Sequence, residues 1–388
     1  MRDGDTRESP PVTAKRIGRR TVIGLVGLSL MNGMSLSTVP LTNAAWMQEL
    51  GLGAETIGIL LTVQILIGAA VGIILSNRLH RLDPRRWGMG AGILLLVTSL
   101  GLAFSREQAA LAAGMVASGL ALGALTAASS AAIAAADRVE RTAAIVTLVV
   151  TLIVAVLTLP LAQLVGAGAA RGLFLGQAVI VIFSLALTAF NPGRRIDAAP
   201  PPSLGLMRTI RSPLVFSFIA QGVGSTGIWA FTPRIGAGLG LSARTVGEII
   251  AGATLAGIAG AATAAAIARP RRVVVLAVGG VTLFGVATTA IPLAPSATVF
   301  VLAMVGQAFF FVFSTPYLTA IGVNLDRSGG LVAASQSWSN LVSAAAPALA
   351  GFLLAAQGPA SLAWLSAGAA VLAVASLLLA ARAQASDR

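Results

Sequence analysis

The sequence predicts an all-α integral membrane protein: twelve transmembrane helices in two pseudo-symmetric six-helix halves. Three observations lead there. The 388 residues are 56% hydrophobic, only 10% are charged, and the mean hydropathy is +0.90. Soluble domains carry about a quarter charged residues, so most of this chain must avoid water. The apolar residues fall into twelve runs near the length of about 20 residues that crosses a bilayer. Finally, Gly51 to Leu60 returns as Gly240 to Ile249 with five of ten positions identical, at an offset of 189, about half the chain. The same offset pairs Asp137-Arg138 with Asp326-Arg327, Met115 with Met304 and Asn32 with Gln221. Like halves of this apolarity are the mark of transporters built from structural repeats.

Taken in order, the runs are 21–46, 55–77, 87–104, 108–135, 142–165, 171–191, 212–236, 243–268, 272–293, 296–323, 329–356 and 359–381. The first exceeds a signal-peptide core and lacks a cleavage site, so it reads as a retained helix. Residues 1–20, with Pro10-Pro11 and six basic residues, read as a cytoplasmic tail. The stretch 192–211 carries Pro192-Gly193, Pro200-Pro201-Pro202 and four arginines, and reads as a cytoplasmic linker. It separates an N-terminal half, 21–191, from a C-terminal half with its short tail, 212–388.

Charge sets the orientation. With both termini inside, 22 of the 26 basic residues fall in cytoplasmic segments, leaving Arg106, Arg171, Arg234 and Arg244 outside. This is the positive-inside pattern, and it accounts for the net charge of +13 without nucleic acid as a partner. The expected location is a bacterial inner membrane, crossed many times by a monomer in contact with lipid. Twenty-five of the basic residues are arginines, and abundant Ala and Gly accompany them, a composition typical of GC-rich bacterial genomes.

Composition also excludes chemistry. The chain has no Cys and one His, His80, so thiolate and histidine metal sites have no ligands. No metal or other cofactor is expected. Without a nucleophile, a buried carboxylate pair or a Gly-x-x-x-x-Gly-Lys-Ser/Thr phosphate loop, neither a membrane enzyme nor a nucleotide-driven pump fits.

Polar side chains at mid-span are costly and face a cavity or a neighbouring helix. Asn32, Gln64, Gln221, Gln307, Gln336 and Asn340 lie at such depths, with Trp229 a turn or two beyond Gln221. These are the candidate substrate-binding residues. Interhelical bonding in tightly packed helices is their alternative role. Amides donate and accept, which suits a neutral polar ligand. Phe309, Phe310, Phe311, Phe313 and Tyr317 give span ten an aromatic stretch. Glu248, the deepest carboxylate, is the proton-coupling candidate, although Arg244 at i−4 makes a surface helix pair the simpler reading.

Twelve spans divided six and six, with a basic loop after the second, resemble the Major Facilitator Superfamily. The phrase Leu50-Gly-Leu-Gly-Ala-Glu-Thr-Ile-Gly58 is similar to that family's usual entry into helix two. Its Gly-x-x-x-Asp-Arg-x-Gly-Arg signature is matched at Arg78 and Arg81, while Ile73, Asn77 and His80 depart from it. Asn77 in place of the Asp would weaken the charge latch that the resemblance implies. Asp137-Arg138 and Asp326-Arg327 resemble the family's other cytoplasmic charge clusters, so these six residues are the gating candidates. Pro160 lies in Leu-Thr-Leu-Pro-Leu-Ala-Gln, not in the Gly-Pro-Gly-Gly motif of drug–proton antiporters. Ala346-Pro347-Ala-Leu-Ala-Gly351 resembles the family's helix-breaking segment in helix eleven. The resemblance implies alternating access between the halves. The expected activity is transport of a small, mostly uncharged or amphipathic organic solute, with protons the candidate coupling ion and efflux placed before nutrient or metabolite uptake. A non-transporting receptor on the same fold is the reading from a different class.

Overall fold

In a hydrocarbon layer no water bonds the backbone, so each apolar run must satisfy its own N–H and C=O groups, and it does so as a helix. The computed structural model describes residues 19–76, 83–134, 139–165, 170–192, 212–267, 272–325 and 330–386. The first half holds α1 (Arg19–Glu49), α2 (Ala54–Ser76), α3 (Pro84–Phe104), α4 (Gln108–Ala134), α5 (Val139–Val165) and α6 (Ala170–Thr188). The second holds α7 (Pro213–Ala237), α8 (Ala243–Ile267), α9 (Val273–Ala290), α10 (Ala297–Leu325), α11 (Gly330–Ser343), α12 (Ala346–Gln357) and α13 (Ala360–Ser386). Among the described residues there are no strands, and twelve spans are long and apolar enough to cross a membrane.

The eleventh span, 329–356, carries a helix break next to the Ala346–Gly351 segment, as the resemblance of that segment implied. It breaks at Ala344 and Ala345, and α12 restarts with Pro347 in its first turn. Proline has no N–H to continue the ladder of α11, but it fits the first turn of a new helix.

The repeat is visible in how the helices pack. α2 lies against α4, α3 against α4 and α6, and α1 against α5 and α6. The second half copies this with α8 on α10, α9 on α10 and α13, and α7 on α11 and α13. Gly51 and Gly240, the first residues of the two copies, have φ of 62° and 76°. Both turn the chain out of a helix through the left-handed region, where glycine pays no steric penalty. These two turns mark one face of the molecule, the repeat face. The opposite face carries the start of α1, the end of α13 and the arginines Arg85, Arg86 and Arg272. The mainly apolar core runs through the bundle and includes Leu25, Leu28, Met31, Ile57, Phe231 and Phe300.

Candidate functional site

The candidate site is the seam between the halves. Near the repeat face it is closed by three helix pairs, α1 with α7, α2 with α12, and α5 with α8. The repeated glycines make two of these contacts possible. A Cβ on Gly58 of α2 would collide with the carbonyl oxygen of Pro347, and one on Gly247 of α8 would collide with the Cβ of Ala162 in α5. Gly58 and Gly247 are the same position of the ten-residue repeat. Small residues let backbones approach where no hydrophobic force drives helices together.

Four hydrogen bonds cross the seam in this region. The break before α12 leaves the Ala348 N–H without an intrahelical acceptor, and it donates to Thr62 Oγ1 of α2 at 3.1 Å. Pro40 in α1 removes the N–H that would bond the Leu36 carbonyl one turn back. That freed carbonyl accepts from Trp229 Nε1 of α7, a long bond at 3.5 Å. Asn43 Nδ2 donates to the Ala230 carbonyl at 2.8 Å. Gln163 Nε2 of α5 donates to Glu248 Oε1 of α8 at 3.0 Å, and Arg244 Nε donates to the same oxygen at 3.1 Å. Above this closure a vestibule of about 910 Å³ opens on the repeat face, bordered by Asn43, Glu49, Pro233, Arg234 and Arg244.

Elsewhere along the seam, among the described residues, α4 and α5 have no comparable contact with α10 or α11. Gln336 and Asn340 are exposed, one turn apart on α11, while Ser335 and Ser339 on its other side are buried. Ser339 Oγ donates to the Phe218 carbonyl of α7, which orients the helix. Two amides left in lipid would go unpartnered at a cost of several kcal/mol, which makes this side of α11 the candidate wall of an aqueous cleft. On α1, Ser29, Asn32, Gly33 and Leu36 form the partly exposed stripe of an otherwise buried helix, and Leu36 is where Trp229 reaches across.

The remaining mid-span amides are turned elsewhere. Gln221 is buried inside the second half and points to Ser314 Oγ at 3.4 Å; Gln307 is buried there too. Gln64 is held within the first half by a 2.6 Å bond to Ser118 Oγ. Asn32 and Gln221, though repeat mates, therefore do not form a symmetric pair across the seam. Phe309 and Phe313 stack at 6.1 Å, and Tyr317 Oη donates to the Ala264 carbonyl, so much of the aromatic stretch packs the second half. Glu248 sits at the repeat-face edge, paired with Arg244 and 41% exposed. The gating candidates Arg78, Arg81, Asp137, Arg138, Asp326 and Arg327 lie outside the described residues.

Asn43, Thr62, Gln163 and Pro40 were not singled out in the sequence. Pro40 carried the available signal, because a proline inside a span frees a carbonyl four residues back and that group needs a donor from elsewhere.

The family model of the Major Facilitator Superfamily matches residues 22–347. The chain belongs to this superfamily. Among solved structures, the superfamily chain is similar to the nucleoside transporter NupG, at 10% identity and a TM-score of 0.71, covering 94% of this chain and 99% of that one. It is also similar to the human organic anion transporter MFSD10 (TETRAN), at 15% identity and a TM-score of 0.65, covering 92% and 99%. At these identities the likeness speaks for the fold. No curated protein sequence matches the chain. It is a multi-pass membrane protein of a transporter family.

Proposed function

We propose that the chain is a secondary transporter that carries a small, neutral or amphipathic organic solute by rocking its two halves about the seam. The arginine-rich face is assigned to the cytoplasm of a bacterial cell, from the distribution of basic residues. The reading is supported by the pairing of a closed, hydrogen-bonded repeat face with the exposed amides of α11 and the partly exposed Asn32 of α1 behind it. Asn32, Gln336 and Asn340 supply donors and acceptors there, and no acidic or basic group occupies the middle of the described spans. A buried anion would require an opposite charge at that depth. An uncharged cleft therefore suits a neutral solute, such as a nucleoside, better than an organic anion.

Glu248 we assign to the closure at the repeat face, where it ties α8 to α5 through Gln163. Purified protein in liposomes tests the reading. Saturable uptake of at least one neutral solute, lost in Asn340→Leu while the protein still reconstitutes, is the expected result. Binding of such solutes without flux across the bilayer would replace the transporter reading with that of a receptor.

A further inference from the structure

Between α2, α3 and α4 an apolar groove of about 540 Å³ opens on the surface of the first half. Arg86 and Trp87 line it at the start of α3, on the arginine-rich face. Gly90 and Leu94 continue it along α3, with Ile74 of α2 and Leu120 of α4 on its sides. Arg86, Gly90 and Leu94 recur every four residues and so share one face of the helix, over about 12 Å at 1.5 Å per residue. That is most of the roughly 15 Å of hydrocarbon in one leaflet. The groove therefore runs from the membrane surface toward the midplane. Its walls are open, for Ile74, Trp87, Leu94 and Leu120 are all exposed. A Cβ built on Gly90 would meet no neighbouring atom within 4 Å.

Any apolar groove on a membrane span meets hydrocarbon, so what distinguishes this one is its charged end. Asp83 caps α3 by accepting from the backbone N–H groups of Arg85 and Arg86, at 3.0 and 3.2 Å. The cap starts the helix with both arginine side chains exposed. Asp83 also meets Arg86 Nε at 3.5 Å, yet the Arg86 side chain stays 84% exposed, and a guanidinium has five N–H donors to share. Residues 78–86 carry four arginines against one aspartate, so the local charge is positive. Guanidinium matches phosphate geometry, and basic side chains at an interhelical groove on this side of a membrane suit lipid headgroups. The exposed Trp87 ring belongs at headgroup depth. The second half is built differently. Val275 and Leu276 are the repeat mates of Arg86 and Trp87, and Phe309, Phe310 and Phe313 stand where Leu120, Ala121 and Ala124 do. Those rings pack against one another.

We propose that this groove binds one anionic phospholipid, with the phosphate on Arg86 and an acyl chain laid along Gly90 and Leu94. Arg85 adds attraction from beside the groove. A zwitterionic phospholipid fits the same apolar wall, but its cationic group offsets the attraction of its phosphate for the arginines, so headgroup charge sets the selectivity. The orientation of the arginine-rich face places the lipid in the cytoplasmic leaflet. Its binding does not depend on the transporter reading.

The test uses purified full-length protein in detergent, given equal amounts of phosphatidylglycerol and phosphatidylcholine with identical chains. Native mass spectrometry counts the lipids retained. Preferential retention of one phosphatidylglycerol is expected. Arg86→Gln should lower that preference about fivefold, the attraction of one basic group near a membrane surface. Gly90→Leu should fill the groove and lower retention of both lipids, and the open space at its Cβ keeps the helix packing intact. Gly279→Leu, at the repeat mate of Gly90, also adds a side chain where nothing lies within 4 Å, and should retain lipid as the wild type does. Equal retention of the two lipids by the wild type would overturn the proposal, as would an undiminished preference in both Arg86→Gln and Gly90→Leu. A doubled mass that phosphatidylglycerol leaves unchanged and Gly90→Leu abolishes would also overturn it, giving the groove to a second copy of the chain.

Discussion

Replacing Gly58 by alanine probes the seam with a single methyl group. The added carbon would collide with the Pro347 carbonyl and come within 3.0 Å of the Ala348 Cα. Both are backbone atoms at the start of α12, so no side-chain rotation relieves the contact. The Thr62 bond to Ala348, at 3.1 Å, lies one turn further along α2 and must stretch if the helices part. Overpacking of this kind costs about 1–3 kcal/mol, and a strained hydrogen bond adds up to about 1 kcal/mol. The cost falls on the closed repeat face alone, since parting the halves removes the clash. A penalty of about 2 kcal/mol shifts the ratio of closed to open molecules roughly 30-fold toward open. The absence of cysteine makes the measurement clean. Nitroxides on cysteines introduced at Glu55 and Gln357, both exposed at the repeat-face ends of α2 and α12, report their separation by pulsed electron resonance. Gly58→Ala should move the distribution to longer distances and slow transport. A distribution unchanged from the parent in folded protein would refute the argument that backbone approach at Gly58 holds this face closed.

Three further expectations follow from the same seam. Trp229→Phe removes the donor to the Leu36 carbonyl; at 3.5 Å this should cost less than about 1 kcal/mol of closed state, and less still in a Pro40→Ala background that restores an intrahelical N–H, a coupling that a double-mutant cycle on the same label distances measures. Gln163→Ala should leave the label distances nearly unchanged, because its acceptor Glu248 is 41% exposed and also paired with Arg244; a large shift in label distances would show a stronger latch than the geometry supports. Gln221→Leu should leave the solute KM unchanged, since its amide faces Ser314 inside the second half, whereas Gln336→Leu should raise it; a raised KM in the first variant would put Gln221 back in the cleft.

Depth was legible in the sequence and direction was not. Asn32, Gln221, Gln307, Gln336 and Asn340 all lie within spans, as hydropathy implied. Gln221 and Gln307 nevertheless turn into their own half, while Gln336 and Asn340 turn outward. A helix that is apolar all round carries no stripe to show which way a residue points, and most spans here are of that kind. α11 is the instructive exception, for Ser335, Ser339 and Ser343 share a buried side while Gln336 and Asn340 share an exposed one. The break at Ala344 was foreshadowed by Pro347, but its partner Thr62, 286 residues away along the chain, was not.

By itself the sequence determined the number of spans and their doubling into two halves, because the thickness of a hydrocarbon layer and the cost of a charge within it act on each segment separately. Even the closure was half-written, in the glycine that recurs at Gly58 and Gly247. Only the tertiary structure decided what those glycines meet and which carbonyl freed by a proline finds a donor. Those outcomes depend on the rotation of one helix against another, and in a bilayer that rotation is set by close packing and hydrogen bonds between segments far apart in the chain.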